Sequence, residues 1–232
     1  DDTAGMRLRA LLSTLGAGHT ALIPVARPTT TKTRVVARAQ QLLRFDEEED
    51  ADFSGNDGIR LTNAALSAVD HASAVVLEDY NKGVLTPALI ERVIARAAER
   101  NVPIVVDPKY RHFFAYRGAT IFKPNRRELE AALGATMDLE HPEAMRSAFE
   151  RLGCAHLLLT LGERGMTLLS ADGGTLVVPT TAREVYDVVG AGDTVTAYLA
   201  VMLAAGATAR EAAVIANFAA GVEVGKLGAQ VV

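Results

Sequence analysis

Short apolar segments alternate with amphipathic segments along most of the chain, and this alternation restricts the possible folds more than any other feature. The apolar segments predict strands at Ala74–Asp79, Ile104–Asp107, Thr120–Phe122 and Leu157–Thr160. Fully apolar strands separated by amphipathic helices are typical of a parallel sheet that is covered by helices on both faces. The sequence therefore predicts an α/β protein with a mostly parallel sheet.

In most of the remaining chain, apolar residues recur with the spacing of an α-helix. The predicted helices are Gly5–Leu15, Leu61–His71, Pro87–Asn101, Arg126–Leu133, Pro142–Leu152, Ala191–Ala205 and Ala209–Val224. Thr167–Leu169 and Thr175–Val178 predict an antiparallel hairpin at the edge of the sheet, because a glycine-containing turn joins them. Residues 20–50 form a candidate β lid, in which Thr20–Val25 suits a short strand and Thr29–Asp46 predicts a hairpin.

Composition and charge exclude several classes of protein. With 232 residues, the chain is long enough for one large α/β domain and too short for two. A net charge of −4 argues against a protein that binds nucleic acid by broad neutralisation of phosphates. Cys154 is the only cysteine, which excludes an intrachain disulfide, and no apolar run reaches the length of a membrane span. We therefore expect a cytoplasmic protein that binds neither nucleic acid nor membranes.

The segment Asp187–Thr194 combines two carboxylates with a Gly190-Ala191-Gly192 turn that opens a predicted helix. Small residues let the backbone approach a ligand closely, and the free N–H groups at a helix N-terminus favour an anion. The turn therefore predicts a binding site for a phosphate or an oxyanion. Asp193 stands where that anion would bind, which is unfavourable unless its carboxylate takes a proton from a nucleophile beside the anion.

Polar residues follow the predicted strands at the points where the strands end. Asp79, Asp107, Asn125 and Thr160 all lie at or just after the C-terminal end of a strand. Open α/β sheets bind their ligands at this edge. The sequence therefore predicts one ligand site to which several strands contribute.

Two motifs at this edge each allow two interpretations. Asn125 is a good helix N-cap and Glu128 completes a capping box, which would be a purely structural role. Alternatively, Glu128 holds the water shell of Mg²⁺, an ion that prefers one or two carboxylates together with substrate phosphates. The motif Thr160-x-Gly162-x-x-Gly165 could pass beneath a nucleotide or could simply be a turn between strands.

The ordered set of motifs resembles the ribokinase-like, or pfkB, family of carbohydrate kinases over nearly the whole chain. The motifs that carry this resemblance are Asp187-x-x-Gly-Ala-Gly-Asp193, Asn125-x-x-Glu128, Thr160-x-Gly162-x-x-Gly165 and the strand-end residues Asp79 and Asp107. Within the family, Thr29–Val35, Gln40–Arg44 and Asp79–Gly83 resemble the D-glycero-β-D-manno-heptose-7-phosphate kinases of Gram-negative lipopolysaccharide synthesis.

This resemblance implies a ribokinase-like three-layer fold, with a mostly parallel sheet, helices on both faces and a small β lid. It implies an ATP-dependent kinase that phosphorylates the anomeric hydroxyl of heptose 7-phosphate to give heptose 1,7-bisphosphate. The implied cofactors are ATP and Mg²⁺ and, as in some relatives, K⁺.

The resemblance also implies roles for individual residues. Asp193 would be the catalytic base that removes the hydroxyl proton, and the N–H groups of Gly190, Ala191 and Gly192 would stabilise the transferred phosphoryl group. Residues implied for the nucleotide, its phosphates and Mg²⁺ are Asn125, Arg126, Arg127, Glu128, Thr160, Gly162, Gly165, Asn217 and Gly221, with Glu128 acting through water. Residues implied for the sugar phosphate are Lys32, Asp79, Lys82, Asp107, Lys109 and Arg111. Asp187 would help to bind K⁺.

The chain also departs from the family pattern. Relatives begin with a first strand, a sugar-contacting Asp and a Gly-Gly motif, so we expect residues 1–232 to be a kinase domain that is incomplete at its N-terminus. Bifunctional relatives carry a nucleotidyltransferase domain with a His-x-Gly-His motif, which does not occur in this sequence. Two alternatives stay open: a kinase of this fold for another sugar or nucleoside, and a non-catalytic nucleotide-binding or dimerisation module. The strand edges of Thr29–Asp46 favour a homodimer.

Overall fold

The structure, a computed structural model, describes residues 2–16, 22–37, 40–137, 142–181 and 188–226. The chain divides into a first unit, Asp1–Ala65 with Lys82–Val84, and a second unit, Leu66–Asn81 with Leu85–Val232. Within the described ranges, no helix has the length and apolar character needed to cross a membrane.

The first unit contains a helix and a hairpin. Its elements are α1 (Thr3–Thr14), β1 (Thr31–Ala37), β2 (Gln40–Glu47) and the start of α2 (Gly55–Val69). Asp2 caps α1, because its Oδ1 accepts the N–H of Gly5 at 2.7 Å. Strands β1 and β2 pair in antiparallel register, which confirms the predicted hairpin.

Two predictions for the first unit were wrong. Of the predicted strand Thr20–Val25, residues 22–25 are described and form no strand. Pro24 explains this, since it has no N–H to donate to a ladder. Helix α2 begins at Gly55, whereas the sequence predicted its start at Leu61. Asp57 lies in the first turn, where a carboxylate is favourable, and pairs with Arg60 at 2.9 Å.

The second unit is built on one six-stranded sheet. Its strands, in spatial as well as chain order, are β3 (Val75–Glu78), β4 (Ile104–Asp107), β5 (Ile121–Phe122), β6 (His156–Thr160), β7 (Met166–Ser170) and β8 (Thr175–Val178). The first four strands are parallel, whereas β7 and β8 pair antiparallel at the edge. Both the mostly parallel sheet and the edge hairpin are thereby confirmed.

The described part of the second unit also contains five complete α-helices. They are α3 (Pro87–Arg100), α4 (Arg126–Leu133), α5 (Pro142–Leu152), α6 (Ala191–Ala204) and α7 (Ala209–Val224). Side chains cap three of them: Thr86 accepts the N–H of Leu89 in α3, and Asn125 and Thr208 form capping boxes in α4 and α7. These polar residues explain why the helices begin where the sequence predicts.

The core lies on both faces of the sheet. Val105 and Leu158 pack in one cluster with α6 and α7, in which Leu199 is fully buried. Their strand neighbours Val106 and Leu157 are also completely buried. Because successive side chains of a strand point to opposite faces, both faces of the sheet are covered. This double burial is the reason why the strands read as continuous apolar runs.

Candidate active site

A cleft of about 660 Å³ opens at the C-terminal ends of the parallel strands of the second unit, and we call it the strand-end cleft. Many residues that the sequence predicted for the site line it: Asp107, Lys109, Asn125, Glu128, Thr160, Gly162, Gly165, Ala191, Gly192, Asp193, Asn217 and Gly221. Its volume lies in the range of small-molecule sites. Residues at the ends of several strands therefore line one cleft, as the sequence predicted.

The Gly190-Ala191-Gly192 turn forms the N-terminus of α6 at the cleft. Gly190 is the N-cap residue and has φ 90° and ψ −13°, a left-handed conformation that favours glycine. The N–H of Thr194 donates to the carbonyl oxygen of Gly190 at 2.8 Å and closes the first turn. The first N–H groups of a helix have no partner within the helix and suit an anion, although the N–H of Ala191 already makes a long contact of 3.4 Å with the carbonyl oxygen of Val188. Asp193 is exposed in this first turn.

Asn125 and Glu128 form the capping box of α4, which confirms the structural interpretation of this motif. Asn125 Oδ1 accepts the N–H of Glu128, and Glu128 Oε2 accepts the N–H of Asn125, both at 2.9 Å. The second oxygen, Oε1, lies 2.8 Å from Nζ of Lys109. Burial lowers the pKa of Lys109, but its hydrogen bond to Glu128 and the charge of that carboxylate outweigh burial, and the pKa is raised. Both Glu128 oxygens are thus already engaged.

The Thr160–Gly165 segment lies beside this capping box, because the backbones of Asn125 and Thr160 form a parallel bridge. Gly165 has φ 81°, and a Cβ there would lie 2.1 Å from the carbonyl oxygen of Val178. Gly162 also has a left-handed φ of 63°, but no described atom lies within 4 Å of its Cβ position. Gly165 is therefore required by packing, whereas Gly162 leaves open space beside the cleft.

Three carboxylates cluster in the strand-end cleft, where one oxygen of each lies within 4.8 Å of one oxygen of each of the others. They belong to Glu78, Asp107 and Asp193. Burial raises the pKa of Glu78 to about 7, and the charges of Asp107 and Asp193 add to this effect against the opposing charge of Lys123. Burial also raises the pKa of Asp107. Glu78 is therefore partly protonated at neutral pH.

Sequence reasoning did not assign Glu78 or Lys123 to the site. Glu78 is the last residue of β3, one position before Asp79, and its place at a strand end was the available signal. Lys123 is buried, and its Nζ lies 2.7 Å from Oδ2 of Asp107. Thr196 Oγ1 donates to the same carboxylate oxygen at 3.2 Å. Tyr80 also lines the cleft, and burial raises its pKa.

Several predicted residues do not line the strand-end cleft: Gly190, Arg126, Arg127, Asp79, Arg111, Lys32 and Lys82. Asp79 is buried and accepts the hydroxyl of Tyr116 at 2.9 Å and the N–H of Asn81 at 2.7 Å. Arg126 pairs with Glu130 at 2.8 Å.

Lys32 and Lys82 belong to the first unit, where carboxylates pair with both ammonium groups. Glu48 Oε2 lies 2.7 Å from Nζ of Lys32 and 2.8 Å from Nζ of Lys82. Hydrogen bonds to Glu48 and Asp46 raise the pKa of Lys32. The predicted K⁺ residue Asp187 lies outside the described residues.

Comparison with known proteins identifies relatives of the whole chain. A family model described as pfkB family carbohydrate kinase matches residues 1–232. The bifunctional protein HldE of Azorhizobium caulinodans is 45% identical over 237 residues, which cover 100% of this chain and 49% of that protein. The chain spans about half the length of the curated relatives it matches.

Solved structures share the fold at lower sequence identity. Arabidopsis thaliana ribokinase, complexed with ribose and ATP, has a TM-score of 0.67 and 23% identity, over 88% of this chain and 65% of that one. Phosphofructokinase-2 from Escherichia coli, in complex with potassium, has a TM-score of 0.75 and 19% identity, over 98% of this chain and 74% of that one. The fold is ribokinase-like, as the resemblance implied. The chain belongs to the pfkB family of carbohydrate kinases, phosphotransferases that act on a sugar hydroxyl.

Proposed function

We propose that this chain phosphorylates the anomeric hydroxyl of D-glycero-β-D-manno-heptose 7-phosphate with ATP, giving heptose 1,7-bisphosphate for the synthesis of ADP-heptose and the lipopolysaccharide core. The observation that carries the kinase chemistry is the position of Asp193, which is exposed at the strand-end cleft in the first turn of α6. The choice of sugar is supported by 45% identity to an HldE protein and by the resemblance of Asp79–Gly83 to heptose-7-phosphate kinases.

In the proposed reaction, Asp193 acts on the sugar hydroxyl. Its carboxylate accepts the hydroxyl proton while the hydroxyl oxygen attacks the γ-phosphorus of ATP. The backbone N–H groups of Gly190, Ala191 and Gly192 would donate to the oxygens of the transferred group. Phosphoryl transfer depends mainly on positioning and electrostatic stabilisation, and the N-terminus of a helix provides both.

The lining of the strand-end cleft fits a nucleotide. Thr160, Gly162, Gly165, Asn217 and Gly221 would line ATP, with the last two near the adenine. The side-chain amide of Asn217 donates to the carbonyl oxygen of Pro179 at 2.9 Å, which fixes its orientation. Arg126 and Arg127, which follow the N-cap of α4, remain candidates for the phosphates.

Carboxylates are the candidate ligands for the two proposed cations, Mg²⁺ and K⁺. Both oxygens of Glu128 are engaged, so its carboxylate would hold Mg²⁺ through water, in keeping with the waters that this ion retains in proteins. Bound Mg²⁺ would neutralise phosphate charge. Asp187 remains the candidate for K⁺. Among the residues proposed for the sugar phosphate, Asp107 and Lys109 line the cleft.

We further propose a cytoplasmic homodimer in which residues 20–50 act as the lid. The hairpin of β1 and β2 exposes five large apolar side chains: Val35, Val36, Leu42, Leu43 and Phe45. Apolar surface of this kind on a hairpin favours a second copy of the chain as its partner. Sedimentation velocity of the wild type and of Leu43→Lys would test this, because the substitution should shift a dimer towards monomer.

The proposed reaction is tested by incubating the full-length protein with MgATP and a panel of sugars, sugar phosphates and nucleosides. We expect ADP release with heptose 7-phosphate and a new ³¹P signal coupled to the anomeric proton. Turnover of another acceptor in place of this heptose would show that the assigned substrate is wrong. ATP binding without turnover of any acceptor would instead support the non-catalytic alternative.

A further inference from the structure

Lys123 is buried and yet reaches the strand-end cleft. Its side chain follows β5 directly, is only 3% exposed and belongs to the cleft lining. A buried ammonium is costly unless a counter-charge and hydrogen bonds compensate it. Val106 of β4 lies opposite Phe122 of β5, so the next residues on the two parallel strands, Asp107 and Lys123, are also adjacent. Their ion pair of 2.7 Å is therefore a direct result of strand register.

The same ammonium lies next to the first turn of α6. A Cβ built on Gly192 would be 3.7 Å from Nζ of Lys123, its one neighbour within 4 Å among the described residues. The hydroxyl of Thr196 links the two sides, because it lies 3.2 Å from Oδ2 of Asp107 and 3.1 Å from the carbonyl oxygen of Gly192. The ammonium of Lys123 is therefore part of the cleft wall beside the first turn of α6.

Two sources of positive potential thus converge on one point of the cleft. The N-terminus of a helix such as α6 carries roughly half a positive charge, and Lys123 adds a full one that the carboxylate of Asp107 offsets in part. A buried ion pair stabilises a fold little more than apolar residues of the same volume, so stability alone gives a weak reason for this lysine. An ammonium that is held by Asp107 and lines the cleft beside α6 suits an anionic group at the Gly192 N–H.

We propose that Lys123 is a catalytic residue whose ammonium contacts the phosphoryl group during its transfer, and that Asp107 and Thr196 are positioning residues that hold it there. This inference rests on the proposed kinase reaction. In that reaction the acceptor oxygen forms a bond to the γ-phosphorus, and the bond from that phosphorus to the β,γ-bridging oxygen breaks. ADP keeps the electron pair of the broken bond, Asp193 receives the hydroxyl proton, and Lys123 stays protonated throughout.

The test compares Lys123→Met with the charge-balanced double variant Asp107→Asn/Lys123→Met in the full-length protein. The double variant removes both charges, so it avoids an unpaired buried carboxylate if the single variant does not fold. Arg96→Met on α3 is the control, because it breaks a partly buried ion pair with Asp70 that is not part of the cleft lining. With the acceptor that the wild type uses best, we expect kcat of the folded lysine variants to fall by about 10²- to 10³-fold. The control should retain wild-type kcat.

Nucleotide binding provides a readout that does not depend on the sugar. Titration with ADP and with β,γ-imido-ATP should show that the double variant loses about tenfold or more in affinity for the triphosphate analogue and little for ADP. A folded double variant with kcat within about threefold of wild type, or with equal losses for both nucleotides, would overturn the assignment of Lys123. If the wild type accepts no sugar, the proposed reaction fails, and the difference between the two nucleotides still decides the role of Lys123.

Discussion

Replacing Glu78 with Gln should change how the stability of the protein depends on pH. The carboxyl group of Glu78 is half-buried at the strand-end cleft, close to Asp107 and Asp193. Burial is the main reason why its pKa rises from 4.5 to about 7 in the folded state, and the two neighbouring charges contribute further. The folded protein therefore holds this proton more tightly than the unfolded chain does.

The sign and size of the effect follow from this difference. A carboxyl group with a raised folded-state pKa contributes stability that is fully present below 4.5 and is lost as the pH rises through about 7. The full shift corresponds to at most about 3 kcal/mol, since one pKa unit corresponds to about 1.4 kcal/mol. The side chain of Glu78 is partly exposed to solvent, so screening reduces the expected effect to about 1 kcal/mol. Glu78→Gln removes the titration and should raise stability at high pH relative to wild type.

Urea unfolding followed by circular dichroism, at about pH 5 and about pH 8, measures this change. We expect the stability of Glu78→Gln relative to wild type, measured as the free energy of unfolding, to be about 1 kcal/mol greater at about pH 8 than at about pH 5. Glu91→Gln makes the same chemical change on an exposed position of α3 and should show no such difference. An identical stability difference at both pH values for Glu78→Gln would refute the assigned environment of this carboxyl.

Glycine and tyrosine substitutions test the surroundings of the cleft. Gly165→Ala should destabilise by at least about 2 kcal/mol in urea unfolding, because its Cβ would lie 2.1 Å from the Val178 oxygen at a left-handed φ. Gly162→Ala shares the left-handed φ without a close neighbour and should cost only about 1 kcal/mol; equal losses would contradict the packing argument. Tyr116→Phe should lower the free energy of unfolding by about 1 to 3 kcal/mol, because buried Asp79 loses a donor, and an unchanged midpoint would argue against that hydrogen bond.

The sequence predicts the sheet of the second unit better than the elements of the first unit, for physical reasons. Strand β4 and helices α4 and α7 occur at the predicted residues, because apolar runs and capping side chains mark their ends. In the first unit, the apolar pattern around Pro24 suggests a strand, but a residue without an N–H interrupts the ladder. The start of α2 was also predicted too late, at Leu61 instead of Gly55, because residues typical of turns occupy the first turn of this helix.

The local motifs of the candidate site could be predicted from the sequence, whereas the contacts between its side chains could not. The Gly190 turn and the capping box of α4 are local features that a single stretch of sequence specifies. The pair of Lys123 and Asp107 depends on the register of β4 and β5, which no local pattern reveals. Likewise, Glu78 rather than Asp79 lines the cleft, since adjacent residues near a strand end point in different directions.

In the proposed reaction, Asp193 accepts the proton of the hydroxyl that attacks ATP. This role is tested by measuring single-turnover phosphorylation by Asp193→Asn, in the full-length protein with MgATP and heptose 7-phosphate. Asp193 is exposed, so the isosteric variant should fold and bind ADP as the wild type does. We predict a loss of about 10²- to 10⁴-fold in the rate of phosphoryl transfer. A folded variant that transfers phosphate within about threefold of the wild-type rate would contradict the proposed role of Asp193.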